Sequence, residues 1–188
     1  MIKEQVKGYV AVTISPEAVK ALADWSIKAI PEENLFWSEV NGKKEGGNVI
    51  DDAHLTLFFG LNDELINKKE IEELIKTLSL SELEIVGVKA FPVPQIKCKI
   101  LYFIVNDDKG LLQRIHDEFL KMPHYEEDQK PFKPHITIAY VKESFNEKGI
   151  EYNGLNKVTI KGIEYIKFNS KENYPVASRP KSDESKFS

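Results

Sequence analysis

Cysteine is nearly missing. Cys98 is the only one in 188 residues, which excludes a disulfide framework, a Cys-rich zinc site and a Cys-x-x-Cys redox pair. Arginine is almost as scarce: of 26 basic residues only Arg114 and Arg179 are arginine, so bidentate guanidinium clamps on phosphate are in short supply. Positive charge is not in excess either. A net charge of −4 argues against a face that grips long duplex nucleic acid through many phosphates, whereas a short or cyclic nucleotide needs only a local positive pocket. No apolar run approaches membrane-spanning length, and Met1-Ile2-Lys3-Glu4-Gln5-Val6-Lys7 carries charges where a signal peptide needs an apolar core. A cytoplasmic protein without a membrane partner is the expectation. Walker and dinucleotide fingerprints are absent too.

What is present suits one substantial domain. The chain is 41% hydrophobic and 30% charged, a balance that builds a core and a solvated surface. Gly8 to Ile14 reads as a strand, and Ser15-Pro16-Glu17 starts a helix with Ser as N-cap and Pro in the first turn. Val19, Leu22, Ala23 and Ile27 recur at helical spacing through Ile30. Leu35-Phe36-Trp37 reads as a short strand. Asn41-Gly42 and Gly46-Gly47 then enclose Lys43-Lys44-Glu45, a pattern of a turn or mobile loop. A strand over 54–60, a helix over 63–78, a strand over 83–89, a turn at Phe91-Pro92-Val93-Pro94, a strand over 100–105, a helix opened by Asp107-Asp108, a strand over 135–141 and a bulged strand over 158–166 complete the series. The order is β-α-β-α-β-β-α-β-β, an α+β layout with antiparallel sheets. Residues 1–168 are expected to form a single domain and 169–188 a polar C-terminal tail with mobile last residues.

Two phrases repeat 81 positions apart: His54-Leu55-Thr56-Leu57 and His135-Ile136-Thr137-Ile138. With four His and five Thr in the chain, chance produces two His-x-Thr phrases at a frequency of roughly 0.004. On a strand, side chains alternate between faces, so His54 and Thr56 share one face and Leu55 and Leu57 the other, as do their counterparts. Each phrase offers an imidazole beside a hydroxyl, backed by an apolar face.

Two such faces around one anion suit phosphodiester chemistry. An imidazole titrates near neutrality, so one copy serves as base while the other, protonated, serves as acid. Thr56 and Thr137 donate to the non-bridging oxygens and steady the charge that builds on phosphorus. A ribonucleotide supplies its own nucleophile from a neighbouring hydroxyl, and neither carboxylate cluster nor helical His-x-x-x-His accompanies the phrases, so no metal or other cofactor is inferred.

The paired phrases resemble the signature of the 2H phosphoesterase superfamily. The similarity extends to the first strand with its Ser-Pro helix start, to Gly87 through Pro92 and to Phe132-x-Pro134, and it is greatest to the bacterial and phage branch of 2′-5′ RNA ligase-like cyclic phosphodiesterases. It implies a bilobal fold, two antiparallel sheets related by a pseudo-twofold around a central cleft with helices outside. It also implies metal-independent work on 2′,3′-cyclic phosphates or on 2′-5′ or cyclic oligonucleotide linkages, with His54 and His135 as acid and base in an order that symmetry leaves open. The family also holds phage enzymes that degrade cyclic oligonucleotide signals, and the same acid and base serve an ATP-independent ligase or, without catalysis, a nucleotide-sequestering protein. Where the cyclic phosphodiesterases often carry Arg after the second motif, this chain has Ala139-Tyr140.

Around the motifs, Tyr9, Trp37, Phe132, Lys133 and Tyr140 are the candidate substrate-binding residues, the aromatics by stacking on a base or ribose and the lysine by pairing with phosphate. Lys97 and Lys99 are further candidates for phosphate contact. His116 and His124, which lack a Thr partner, are expected at the surface. The expected partner is a small nucleotide or an RNA end, bound by a monomer.

Overall fold

The structure, a computed structural model, describes residues 5–169; of the tail expected over 169–188, Asn169 ends a strand instead and the rest lies outside the described residues. β1 (Val6–Ile14) leads into α1 (Pro16–Ala29), which starts as its sequence dictates: the Ser15 hydroxyl accepts from the Ala18 N–H. The helix is rotated slightly from the expected stripe. Ala18, Leu22, Ala23 and Ser26 are the buried residues while Ile27 is half exposed, because the Ser26 hydroxyl bonds to the Asn48 side chain.

Residues 37–46, expected as a short strand and a turn or loop, form a hairpin of β2 (Trp37–Val40) and β3 (Lys43–Gly46). Asn41 and Gly42 both take positive φ, 51° and 74°, which is the two-residue turn that matches strand twist. β4 (His54–Asn62) carries the first motif. α2 begins only at Lys68 and ends at Thr77, five residues later than its apolar pattern suggests, since Asn67 caps it and Asp63 is drawn into a bond with Tyr165.

β5 (Glu82–Val93) runs straight through the expected turn at Phe91-Pro92, and the turn follows at Pro94–Ile96. Pro92 is tolerated because β5 pairs with its second neighbour only at residues 82–84 and leaves that edge open beyond them. β6 (Cys98–Val105) precedes α3 (Leu111–Leu120), whose Leu112 and Gln113 N–H groups both donate to the Asp107 carboxylate. β7 (His135–Lys142) carries the second motif, and β8 (Lys157–Asn169) is bulged where Lys161 drops out of register.

The six long strands close in the order β1-β4-β7-β6-β5-β8, every pairing antiparallel. Two of the pairings are narrow seams, a single pair between β4 and β7 and three between β5 and β8. They divide the barrel into two three-stranded antiparallel sheets, β8-β1-β4 and β5-β6-β7. One strand face of both sheets is core, where Val10, Val12, Leu55, Leu57, Leu101, Phe103, Ile136 and Ile138 are all but fully buried.

The other face is built in matching cross-strand rows. In the first sheet these are Gly162-Thr13-His54, Glu164-Ala11-Thr56 and Ile166-Tyr9-Phe59. In the second they are Gly87-Ile104-His135, Lys89-Tyr102-Thr137 and Phe91-Ile100-Tyr140. Each motif ends on a bulge at its fourth residue, Leu57 and Ile138, which have no partner in register on the neighbouring strand. The two carbonyls find partners elsewhere. Leu57 O accepts from Nδ1 of His116, and Ile138 O accepts from the Val49 N–H. His116 is therefore buried rather than at the surface, and His124 is half-buried, its Nδ1 donating to Met122 O and its ring edge-on to Phe58.

Candidate active site

The seam between β4 and β7 is what joins the motifs. Leu55 pairs with Ile136 in antiparallel register, and both side chains enter the core. Their neighbours in sequence point the other way. Carried on by one residue in each direction, that antiparallel register would put His54 opposite Thr137 and Thr56 opposite His135, with the two imidazoles on a diagonal.

Both imidazoles are held by the same device. Nδ1 of His54 donates to the Asp52 carbonyl at 2.9 Å, and Nδ1 of His135 to the Lys133 carbonyl at 2.6 Å, in each case the residue two places back. A carbonyl only accepts, so the proton of the neutral ring sits on Nδ1 and its lone pair is on Nε2. The two sites differ in their surroundings. His54 is 2% exposed, and an Asp52 carboxylate oxygen lies 3.2 Å from the same Nδ1. Tyr9 stacks beside that ring, centroids 6.0 Å apart and planes 24° off parallel. His135 is half-buried, with the rings of Tyr102 and Phe91 edge-on to it at 5.2 and 6.2 Å. Burial pushes the Tyr102 phenol up, which keeps its hydroxyl a donor across the neutral range.

The expected site residues part company here. His54, Thr56, His135 and Thr137 come together on one face, and Tyr9 joins them through its contact with His54. Tyr140 shares that strand face but is buried in a small cluster with Val93, Cys98 and Ile100. Phe132 does not reach the motifs: it stacks on the buried ring of His116, 4.5 Å away and 14° from parallel, because the bulge at Leu57 draws that histidine inward. Trp37 is on the β2–β3 hairpin, its ring over Gly47 and under the Lys44 ammonium at 4.2 Å. Lys133 is exposed and contributes its carbonyl. Lys99 is occupied by the Phe145 carbonyl and Glu147, and Lys97 is exposed at a left-handed turn.

Sequence reasoning did not name Asp52 as a partner of His54, and did not name Lys89, Phe91 or Tyr102 as neighbours of the second motif. Alternation carried through Pro92 would have placed Lys89 and Phe91 on the motif face. A wall of the site is a cavity of about 760 Å³ that reaches His54, bounded by α1, the 50–53 segment and β8. Among the described residues no three His, Cys, Asp or Glu converge as a metal site, and no helix is long and apolar enough to cross a membrane.

No protein-family model and no curated protein sequence matches the chain. Solved structures do. Escherichia coli LigT complexed with 3′-AMP superposes with a TM-score of 0.55 at 18% identity over 89% of this chain and 88% of that one. TT0787 of Thermus thermophilus gives 0.52 and 18% over 89% and 100%, and Kluyveromyces marxianus Usb1 gives 0.52 and 10% over 87% and 96%. The chain shares the α+β fold of these structures.

Proposed function

We propose that the chain is a 2H-type phosphodiesterase that opens a 2′,3′-cyclic phosphate, or cleaves a 2′-5′ or cyclic oligonucleotide linkage, on a small nucleotide or RNA end without a metal ion. What supports this reading is the Leu55–Ile136 pair, which brings the two motif strands side by side with each imidazole anchored through Nδ1. Nε2 of one histidine takes a proton from the attacking water or ribose hydroxyl, and Nε2–H of the other gives a proton to the leaving oxygen as the phosphorus–oxygen bond breaks. Thr56 and Thr137 donate to the non-bridging oxygens. Lys89, exposed in the row of Tyr102 and Thr137, is placed to offset their charge in a chain short of arginine. That LigT was crystallised with 3′-AMP supports a small nucleotide as ligand.

The test is turnover of nucleoside 2′,3′-cyclic monophosphates, 2′-5′ oligoadenylate and cyclic di- and trinucleotides, with products identified by mass spectrometry. His54→Ala and His135→Ala should each lower kcat by about 10²–10⁴-fold with unchanged circular dichroism, the wild-type profile should be bell-shaped in pH, and EDTA should leave it unaltered. Full activity in either variant refutes the mechanism. Recovery of every substrate intact despite tight binding makes the protein a nucleotide sequesterer.

A further inference from the structure

The matching rows make the site look symmetric, but the side chains in them do not. Beside His135 the second sheet places Ile104, Tyr102 and Phe91, and two of those rings touch the imidazole. At the corresponding positions beside His54 the first sheet places Thr13, Ala11 and Ile166. Smaller residues there leave room. The 760 Å³ cavity opens at that point, lined by Thr13 and Tyr9 of β1, by Val19, Ala23 and Ile27 of α1, and by Ile50. Ile27 and Ile50 are 53% and 57% exposed, so its mouth carries two apolar side chains that the fold itself does not use.

Its charge says what it does not hold. Asp24, Asp51, Asp52 and Glu164 face it against Lys20 and Lys161, and Lys20 is already paired to Asp24 at 2.5 Å. Four carboxylates against two ammoniums repel a second phosphate and accept hydrogen bonds from amines and hydroxyls. The volume is that of a small-ligand pocket with apolar walls and a few polar groups.

We propose that this cavity binds the nucleoside of the substrate, its base between Ile27 and Ile50 and the amine or ribose hydroxyls against the carboxylates, and excludes a further phosphate on the His54 side. This rests on the phosphodiesterase reading above for the position of the reacting phosphate. It makes a nucleoside with one phosphate, or the nucleoside terminus of an RNA, the substrate on that side. Ile27 and Ile50 then determine specificity without touching the reacting atoms.

The experiment compares the wild-type chain with Ile27→Trp, which fills the mouth, and with Leu65→Ala, an exposed change remote from the cavity lining. Binding of cytidine 3′-monophosphate and of inorganic phosphate is measured by calorimetry, and kcat/KM is measured for cytidine 2′,3′-cyclic phosphate and for glycerol 1,2-cyclic phosphate, which has the reacting ring but no base. Ile27→Trp should weaken the nucleotide at least tenfold relative to phosphate and lower the ratio of the two kcat/KM values at least tenfold, with Leu65→Ala like wild type. Equal losses for both ligands, or no loss, overturn the proposal. Turnover of both cyclic esters with an unmoved ratio removes the nucleoside pocket and leaves the phosphodiesterase; selective nucleotide binding without turnover of either does the reverse.

Discussion

Leu55 and Ile136 form the only backbone pair between β4 and β7 among the described residues, and both are fully buried. The two His-x-Thr motifs are thus held in register by one apolar pair whose side chains enter the core. No further pair in register joins the two strands on either side of it.

Truncating this contact should therefore cost more than stability. Leu55→Ala is expected to destabilise by about 2–5 kcal/mol, and because it loosens the register of His54 against Thr137 it should also lower kcat in the molecules that remain folded. Urea titration and active-site-normalised kinetics separate the two effects. A comparably destabilising change away from the seam, such as Phe119→Ala, should lower stability alone.

The threonines are expected to act in the transition state. Thr56→Val and Thr137→Val keep the shape of the side chain and remove one donor each, so each should lower kcat by about 10²–10³-fold with little change in KM. A rise in KM at constant kcat would instead mark the hydroxyls as ground-state binding groups.

Far from the motifs, Asp63 contributes a pH dependence of stability. Burial alone would raise its carboxyl pKa, but the Tyr165 hydroxyl at 2.6 Å, Lys167 at 2.9 Å and Lys68 at 3.9 Å overcome it and hold the group below its ordinary value. Burial of the Tyr165 ring and the same contact push its phenol far up. A lowered folded pKa stabilises above the unfolded value of about 3.9 and the contribution disappears as pH falls through the folded one. Melting temperature should therefore drop on acidification below about pH 4, and Asp63→Asn should flatten that part of the profile. Gly8→Ala should disturb the same spot, since a Cβ there would collide with the Tyr165 hydroxyl.

His116→Leu should destabilise by about 1–3 kcal/mol, because it leaves the Leu57 carbonyl without its donor inside the core. Thermal melts read the loss. Its activity per folded molecule should stay near wild type if His116 serves the bulge rather than the chemistry.

The histidine pair shows how far the sequence reaches. Strand alternation was enough to put His54 with Thr56 on one face of its strand and His135 with Thr137 on one face of theirs, because a two-residue period is a local property of the chain; bringing the two strands together took the Leu55–Ile136 pair. Ser15 and Pro16 likewise announced α1. What stayed hidden depended on partners distant in sequence. The burial of His116 follows from a bulge at Leu57 that leaves a carbonyl unpaired, and Phe132 is drawn after it. The strand through Pro92 depends on β8 pairing with β5 for only three residues. The carboxylate beside His54 was visible as Asp52 in the sequence, but its direction toward Nδ1 was not. Local signals specify elements and faces; the register between lobes decides which side chains reach the site.

The strand order carries a last consequence for how the chain is made. β5, β6 and β7 follow one another along the sequence, so the second sheet can assemble as soon as Lys142 has been synthesised. The first sheet has to wait, because β1 is flanked by β8, the last strand among the described residues. Closing so long a loop adds little to the equilibrium cost, as each doubling of length costs about 0.6 kcal/mol, but it slows folding. Until β8 arrives, β1 keeps one bare hydrogen-bonding edge and the apolar side chains of Val10 and Val12 uncovered on that side. The nascent chain is thus most open to aggregation along β1, and among the described residues the sheet that carries His54 is the later of the two to be completed.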